Sequence, residues 1–450
     1  MASTRKLQSD KLTHRLAASL PGLLPDGSAV LIGLSGGVDS VVLLHLLHQF
    51  APRHGWQLSA IHVHHGISQN AGHWAEFCAG LCAKLSIPLS VEKVDIAPLR
   101  ELGIEAAARQ LRLQAFSSQR CEFVALAHHA DDQAETLLLQ LLRGAGVRGA
   151  GAMPELSAKT GKQRIVRPLL QSTRQEIEAY AICHELQWVE DESNADDGYP
   201  RNFLRRHLLP MMCEKFPAYR ATLGRSARHF AEAGELLDDL ARIDGAGAIV
   251  DNTLSVAALQ ALSVARAKNL LRHFLQQLGC PMPQTVQLAE MLHQLNYAKA
   301  DAAVCVYFAG DQWQLHRYQG RVHVLRTLGS VDRSLILPWQ GEAEIDWPAL
   351  GACVLFQNVT GQGISLERLQ ASPVTLRLRQ GGETLCPSLN MPTRTLKNLL
   401  QEHRIPPWER DRLPLLYCGN QLVSVPSVAT AADYLALAGE AAILPVIYRY

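Results

Sequence analysis

Ser35-Gly36-Gly37-Val38-Asp39-Ser40 is the segment of this sequence best suited to hold an anion. An apolar run, Val30–Leu34, enters it and a helical pattern beginning at Val41 leaves it, so the six residues make a strand-to-helix turn. Gly36 and Gly37 permit a tight turn with exposed backbone N–H groups, and Ser35 and Ser40 add hydroxyl donors. The helix N-terminus brings roughly half a positive charge to the same place. There is no Gly-x-x-x-x-Gly-Lys, so no loop lysine reaches the outer phosphates. Asp39 stands among these donors, where a carboxylate repels phosphate unless a cation intervenes. A Mg²⁺ bridging Asp39 and phosphate oxygens resolves the conflict, and the plainer alternative is an aspartate stabilising a helix start.

Leu126-Ala127-His128-His129-Ala130-Asp131-Asp132-Gln133-Ala134-Glu135-Thr136 also follows an apolar strand and opens an apolar helix. Asp132 and Glu135, three apart, share a helix face at the carboxyl edge of the sheet, where ligand sites of α/β folds form. They could hold an amine or orient a nucleoside, or merely stabilise the helix start; spacing does not choose. His62, His64 and His65 end another strand. A metal site needs three or four convergent ligands, and clustering does not supply that, so these read as strand-end residues lining a nucleotide pocket. Arg109 and Arg112 lie three apart on a helix after Ile104, set to reach phosphate or to cover a solvated face. Two basic segments follow. Arg201, Arg205 and Arg206 continue into Lys215, Arg220, Arg225 and Arg228. Arg394, Lys397, Arg404, Arg410 and Arg412 surround Trp408, with Pro406 and Pro407 expected to hold that backbone extended. Cations in two separate regions suit a long phosphate backbone, although a charge run is often only a solvated face.

The elements that must position these residues are legible as alternation. Strand-like runs at Ala29–Leu34, Leu58–His64, Leu89–Ile96, Phe123–Ala127 and Ile165–Leu170 alternate with helical spacing at Val41–Gln49, Gly72–Leu85, Ile104–Gln119, Asp131–Arg143 and Thr173–Leu186. Nearly continuous apolar strands imply a parallel sheet covered on both faces, hence a doubly wound α/β domain, assigned to residues 1–216. Residues 217–330 read as mainly helical, with short strands near Ala303–Phe308, Gln312–Tyr318 and Arg321–Leu325. Residues 331–450 read as a small α+β domain, with a strand at Val374–Arg379, a helix at Thr393–His403, a strand at Gln421–Val425, and little signal between Asp332 and Val359. A chain of 450 residues, 48% hydrophobic and 19% charged, fits several ordered domains. The net charge of +1 excludes a polycation, so nucleic-acid binding must come from local patches. The first ten residues are polar, no apolar stretch near the start is long enough to span a bilayer, and a cytoplasmic location with no membrane partner is expected. Ten cysteines without a Cys-x-x-Cys pair are expected to be reduced structural thiols and argue against an iron–sulfur centre.

Ser-Gly-Gly-x-Asp-Ser between strand and helix resembles the N-type ATP pyrophosphatases, which cleave ATP between its α- and β-phosphates. Taken with His62–Gly66, Glu105–Arg109 with Arg112, His128–Thr136, Arg167–Leu170, Trp188–Asn194, Tyr199–Leu204, Leu396–Leu400 and Ile405–Tyr417, the sequence resembles the bacterial tRNA(Ile)-lysidine synthases over nearly its whole length. The likeness is weakest between about Ala241 and Val374, and Leu113 replaces a tyrosine usual in that family. The resemblance implies that ATP, with Mg²⁺ at Asp39, adenylates the wobble cytidine of a tRNA(Ile) with a CAU anticodon. L-lysine then displaces AMP at carbon 2, changing the codon read from AUG to AUA. It further implies nucleotide contacts from Ser35, Gly36, Gly37, Val38, Asp39, Ser40, His64, Arg109 and Arg112. Chemistry falls to Asp39, Asp132, Glu135 and Arg205, with Asp132 on the nucleoside or ATP and Glu135 on lysine, two roles that could be exchanged. Arg201, Arg206, Arg394, Lys397, Trp408 and Arg410 would touch tRNA; a homodimer is compatible with all of this. Competing readings are a tRNA thiolase, disfavoured by the missing cysteine pairs, an amide-forming synthetase, which needs a glutaminase domain, and a non-catalytic tRNA-binding relic, disfavoured by the intact acidic and loop residues.

Overall fold

The computed structural model describes residues 2–64, 66, 70–157, 163–190, 192, 196, 198–299, 302, 304–327, 329, 331–388 and 392–449. His65, Asp191, Ser193 and Asn194, which carry part of the sequence resemblance, lie outside the described residues. Two compact units divide the chain between Leu240 and Ala241.

In the first unit, β1 (Ala29–Gly33), β2 (Gln57–His64), β3 (Leu89–Lys93), β4 (Phe123–Ala125) and β5 (Arg164–Val166) form one parallel sheet in the order β3-β2-β1-β4-β5. Val30, Leu31 and Ile32 of the central strand are all buried, which is why its sequence is continuously apolar rather than alternating. The strand order reverses at β1, so a crevice opens beyond the carboxyl ends of β1 and β4. The first-unit helices are α1 (Ala2–Leu23), α2 (Val38–His54), α3 (Ala71–Lys84), α4 (Ile104–Ser117), α5 (Ala130–Leu142), α6 (Val147–Ala150), α7 (Arg174–Cys183), α8 (Pro200–Phe203), α9 (Leu209–Lys215) and the start of α10 (Tyr219–Gly245). The doubly wound α/β expectation therefore holds. Strand β5 stops at Val166 and not at Leu170, because Pro168 has no N–H to give a ladder. Helix α1 is an addition to the sequence reading: Leu12, Leu16 and Leu20 recur every fourth residue and are all buried, while Arg15 clips the helix to Glu176 of α7 at 2.9 Å.

In the second unit, α11 (Val256–Ala261), α12 (Val264–Gln277) and α13 (Thr285–Tyr297) share a core with an antiparallel sheet of Ile249–Val250, Thr253–Ser255, Arg321–Arg326, Trp313–Tyr318 and Cys305–Phe308. Two further antiparallel sheets follow around Trp347. One holds Ile336–Trp339, Val374–Arg377, Leu415–Cys418, Gln421–Val425 and Ala429–Thr430; the other holds Glu344–Trp347, Ala352–Thr360, Ala441–Arg449 and Ile364–Ser365. No helix among the described residues is long and apolar enough to cross a membrane.

Candidate active site

A cavity of about 520 Å³ lies at the carboxyl edge of the parallel sheet, within the size range of small-molecule sites. The loop residues Ser35, Asp39 and Ser40 line it together with His62, His64, Arg112, His128, Asp132 and Arg201. Apolar walls come from Ile61, Val63, Trp74, Ile104, Phe116 and Leu126. Residues singled out in the sequence thus converge here from five separate segments. Arg109 sits on a shallow neighbouring cleft with Ala106, Gln110 and Leu113, one turn away from Arg112.

The loop is built from its own hydroxyls. Ser40 Oγ accepts from Gly36 N at 3.1 Å and donates to Gly37 O at 2.9 Å, while Ser35 Oγ donates to Ser40 Oγ at 3.1 Å. Ser40 therefore holds the turn closed before it can serve a ligand. Gly36 has φ +90°, and a Cβ there would meet Val189 Cγ2 at 2.8 Å and Cys78 Sγ at 3.3 Å. Val189 N donates to Gly36 O at 3.0 Å, so the Trp188–Val189 segment buttresses the loop. His62 does similar structural work: its Nδ1 lies 2.9 Å from Leu34 O and 3.5 Å from Cys78 Sγ. His64 is half-buried and accepts from Gly66 N at 3.2 Å.

Asp39 lies in the first turn of α2. Arg174 Nη1 donates to its Oδ2 at 2.5 Å, and His129 Nε2 stands 3.7 Å from its Oδ1. Oδ1 is buried and accepts no hydrogen bond. Burial pushes the Asp39 carboxyl above the usual carboxylate range, although His129 and Arg174 pull the other way. A buried carboxylate oxygen without a donor suits a cation, and Mg²⁺ commonly takes one or two carboxylates plus phosphate oxygens. Among the described residues no group of three or more His, Cys, Asp or Glu could hold a metal unaided.

The acidic motif at the start of α5 is buried and saturated. Asp132 Oδ2 accepts from His129 N at 3.0 Å, and its Oδ1 receives Arg201 and Arg205 at 3.3 Å each. Burial opposes its charge, but His129 and Arg201 overcome that and hold its carboxyl below the ordinary range. Glu135 is 0% exposed. Arg201 Nε donates to its Oε2 at 2.7 Å, and Arg205 Nε to its Oε1 at 2.7 Å. Arg201 and Arg205 come from adjoining turns, α8 and the widened turn Leu204–Leu208, and their spacing of four puts them on one face. Asp131 is claimed by Arg220 and by Arg174 N at 3.0 Å. His129 is buried, yet Asp131, Asp132 and Asp39 outweigh that burial and raise its pKa. His128 goes the opposite way, driven mainly by burial, and accepts from Arg167 Nε at 3.3 Å, so it is a neutral imidazole.

Several expectations change. Arg201, placed by sequence among the tRNA contacts, spends its guanidinium on Glu135 and Asp132 in the cavity wall. Glu135, assigned to lysine, does not line the cavity, and both its oxygens are taken by arginines. Trp408 is half-buried, not an exposed platform. It packs against His316, Tyr318 and His323 with ring centroids 4.4, 5.7 and 5.2 Å away. Pro406 is extended, but Pro407 opens a helical turn, Pro407–Arg410, because a proline at the first helical position lacks only an N–H that would be orphaned anyway. Arg410 Nε caps Ile405 O at 2.8 Å, and Arg394 is paired with Glu402 at 2.6 Å. Lys397 and Arg206 are exposed. The sequence reading missed Arg174, and it gave no role to His129, Asp131 and Val189 although they stand inside motifs that it singled out. For Arg174 the available signal was its place one residue inside the Thr173–Glu176 capping box.

Residues 7–212 match the family described as PP-loop domain, 254–323 that described as TilS substrate binding domain, and 374–446 that described as TilS substrate C-terminal domain. A tRNA(Ile)-lysidine synthase of Nitrosomonas europaea is 42% identical over 436 residues, covering 96% of this chain and 95% of that protein. Enzymes of the same name from Aromatoleum aromaticum and Coxiella burnetii are 40% identical over 425 residues and 38% identical over 404 residues, covering 93% and 89% of this chain and 97% and 89% of theirs.

Proposed function

The chain belongs to the tRNA(Ile)-lysidine synthases, and from that premise we propose how its cavity divides the reaction among named residues. It is an ATP-using ligase that forms a carbon–nitrogen bond and makes lysidine in tRNA(Ile). In the first step the carbon 2 oxygen of the wobble cytidine attacks the α-phosphorus of ATP. The bond to the β-phosphate breaks and pyrophosphate leaves. The loop from Ser35 to Ser40 cradles the departing phosphates through its backbone N–H groups and the α2 N-terminus. Arg112 and His64, which both line the cavity, face the nucleotide, and Arg109 reinforces the field from the next turn. Asp39 would hold the Mg²⁺ through its free oxygen; when bound, that ion neutralises phosphate charge and orients the phosphates.

In the second step the ε-amine of L-lysine bonds to carbon 2, a proton leaves the nitrogen, and AMP departs with the former carbonyl oxygen. Of the two assignments open at the sequence level, we favour Asp132 facing lysine. It lines the cavity and stays ionised, which suits a counter-ion that orients the amine better than it suits a strong base. Glu135 then acts from behind by fixing Arg201 and Arg205, with Arg205 directed at the activated cytidine. Arg206, Arg394 and Lys397 are the proposed tRNA phosphate contacts, and the substrate is a tRNA(Ile) with a CAU anticodon, in the cytoplasm. The observation that carries this reading is the convergence of Asp39, Ser40, Arg112 and Asp132 on one cavity. The test is nucleoside analysis of the anticodon after incubation with ATP and lysine. Lysidine should appear only with both, and pyrophosphate should be released with ATP and tRNA alone. Lysine-independent modification, or no modification with intact tRNA, would overturn it.

A further inference from the structure

The anion cradle is short of positive charge. It contains no lysine, its Ser40 hydroxyl is committed to Gly37 O, and its Ser35 hydroxyl to Ser40. What remains is a set of backbone N–H groups and the partial charge of a helix end. A pyrophosphate leaving group gathers several negative charges as the bond to the α-phosphorus breaks, so a full cation beside the loop is needed. Arg174 stands there. Its backbone N donates to Asp131 Oδ2 at 3.0 Å, its Nε to Glu178 Oε1 at 2.7 Å, and its Nη1 to Asp39 Oδ2 at 2.5 Å. Its Nη2 has no partner among the described residues, and the side chain is 42% exposed. The post that carries it is rigid. Thr173 N donates to Glu176 Oε2 at 2.8 Å, and Arg15 holds Glu176 from the other side.

We propose that Arg174, held beside the loop by Asp39 and Glu178, is the pyrophosphate-side cation of this site and grips the outer phosphates of ATP. The inference rests on the reading of the loop as the ATP cradle. A cation at the free Oδ1 of Asp39 competes for the same carboxylate charge that Arg174 uses at Oδ2, so filling the site weakens the Arg174 pair. When that carboxylate turns to the cation, Arg174 keeps Glu178 through Nε and has both terminal nitrogens available for a planar, two-pronged grip on phosphate. The division of labour is then between Arg112, lining the cavity beside the nucleotide, and Arg174, at the loop. Nothing in this role involves the α-phosphate or the nucleoside.

The experiment is direct calorimetric binding of magnesium pyrophosphate and, separately, of AMP to wild type, Arg174→Lys and Arg174→Gln, with thermal unfolding as a check on folding. Removing a charged two-pronged grip should weaken pyrophosphate binding about tenfold to a hundredfold in Arg174→Gln. AMP affinity should stay within about twofold, and Arg174→Lys should recover part of the loss, as a point charge without the fork. If Arg174→Gln does not fold, the lysine variant carries the test: pyrophosphate weakened selectively supports the proposal, and wild-type affinity for both ligands overturns it. Equal losses for AMP and pyrophosphate would also overturn it, since they mean that Arg174 merely shapes the loop. Lysidine formation by the wild-type chain is a separate measurement. A selective pyrophosphate loss in a chain that makes no lysidine would leave this inference standing and sink the proposed function.

Discussion

Glu135 in the first unit and Arg394 in the second each end in a salt bridge shorter than 3 Å, in opposite surroundings. Glu135 is 0% exposed and meets Arg201 and Arg205 at 2.7 Å each. Arg394 meets Glu402 at 2.6 Å, but the two side chains are 36% and 53% exposed. At the surface, water and salt screen the attraction and side-chain entropy offsets the rest, leaving roughly 0–1 kcal/mol. Around Glu135, removing one partner strands charge where water cannot fully reach it, a loss of roughly 3–5 kcal/mol. Distance alone does not separate the two cases; burial does. The first unit invests its charges in a fixed constellation around a cavity, whereas this pair of the second unit is held loosely at the surface.

The largest effect should come from breaking the buried constellation. Glu135→Gln preserves volume and removes charge, and we expect it to lower stability by roughly 3 kcal/mol, with a fall in unfolding temperature of roughly 6–12 °C. Lysidine formation should fall at least about a hundredfold because Arg201 and Arg205 lose their fixed positions. A variant that melts with wild type would place Glu135 in the same energetic class as Arg394. Asp39→Asn should separate the two quantities. Burial already raises the pKa of Asp39, so its charge is a cost to folding, and the amide should leave stability unchanged or higher. Pyrophosphate release should nonetheless drop by about 10²–10³ if the carboxylate orients the phosphates through a cation. Near-normal release at saturating ATP would remove Asp39 from the site.

Proton titration of the constellation is a milder perturbation. Asp131 is held below the ordinary carboxylate range: burial would raise it, but His129, the backbone of Arg174 and Arg220 prevail. Its contribution is present above its unfolded pKa and disappears as pH falls through the lower folded one. His129 has a raised folded pKa, so its contribution is complete below the unfolded value of about 6.5 and is lost as pH rises through the folded one. The unfolding temperature of wild type should therefore fall on raising pH from about 6.5, and His129→Gln should flatten that limb and also shrink the acid limb, which the backbone of Arg174 and Arg220 would still support. Parallel curves for both proteins would show that His129 is not charged in the fold.

The same contrast between fixed and loosely held groups governs what is readable from residue order. The parallel sheet was legible because strands buried on both faces must be apolar throughout, and the loop because two glycines and two serines in fixed order have few other uses. Helix α1 escaped because the polar residues around Leu12, Leu16 and Leu20 dominate the average even though the four-residue spacing is regular. The strands between Ile336 and Thr360 escaped for another reason. Ala352–Thr360 pairs with Ala441–Arg449, so its partner is far away in sequence and local pattern carries little of its identity. In the site, residue types pointed to Asp39, Asp132 and Arg112, but not to how arginines would be shared out. Arg201 could have served RNA or Glu135 equally well by sequence, and only folding Pro200–Leu208 over α5 decides between them. Trp408 is similar: a tryptophan just after two prolines looks displayed, and two histidines and a tyrosine from another strand pair enclose it.

The smallest expected effect tests the loose half of the comparison. Removing everything from Pro373 onward is too blunt, because Val374–Arg377 pairs with Ile336–Trp339 and Ala441–Arg449 with Ala352–Thr360, so the cut would unravel the sheets left behind. Point variants avoid this. Arg394→Gln breaks only an exposed pair, and Lys397→Gln alters an exposed side chain on the helix Leu396–Glu402. Each should change stability by no more than about 1 kcal/mol. If these cations grip tRNA phosphates, affinity should fall modestly at low salt. The slope of log affinity against log salt should also become shallower by roughly 0.7–0.9 for each phosphate no longer neutralised. The double variant should show about twice the change in slope of either single one, because cations on separate phosphates release separate counter-ions. Glu402→Gln supplies the opposite perturbation: it frees Arg394 from its carboxylate, and tRNA binding should hold or tighten slightly. Unchanged slopes in Arg394→Gln, Lys397→Gln and the double variant, with the fold intact, would mean that this helix faces solvent and that the tRNA contacts of the second unit lie elsewhere.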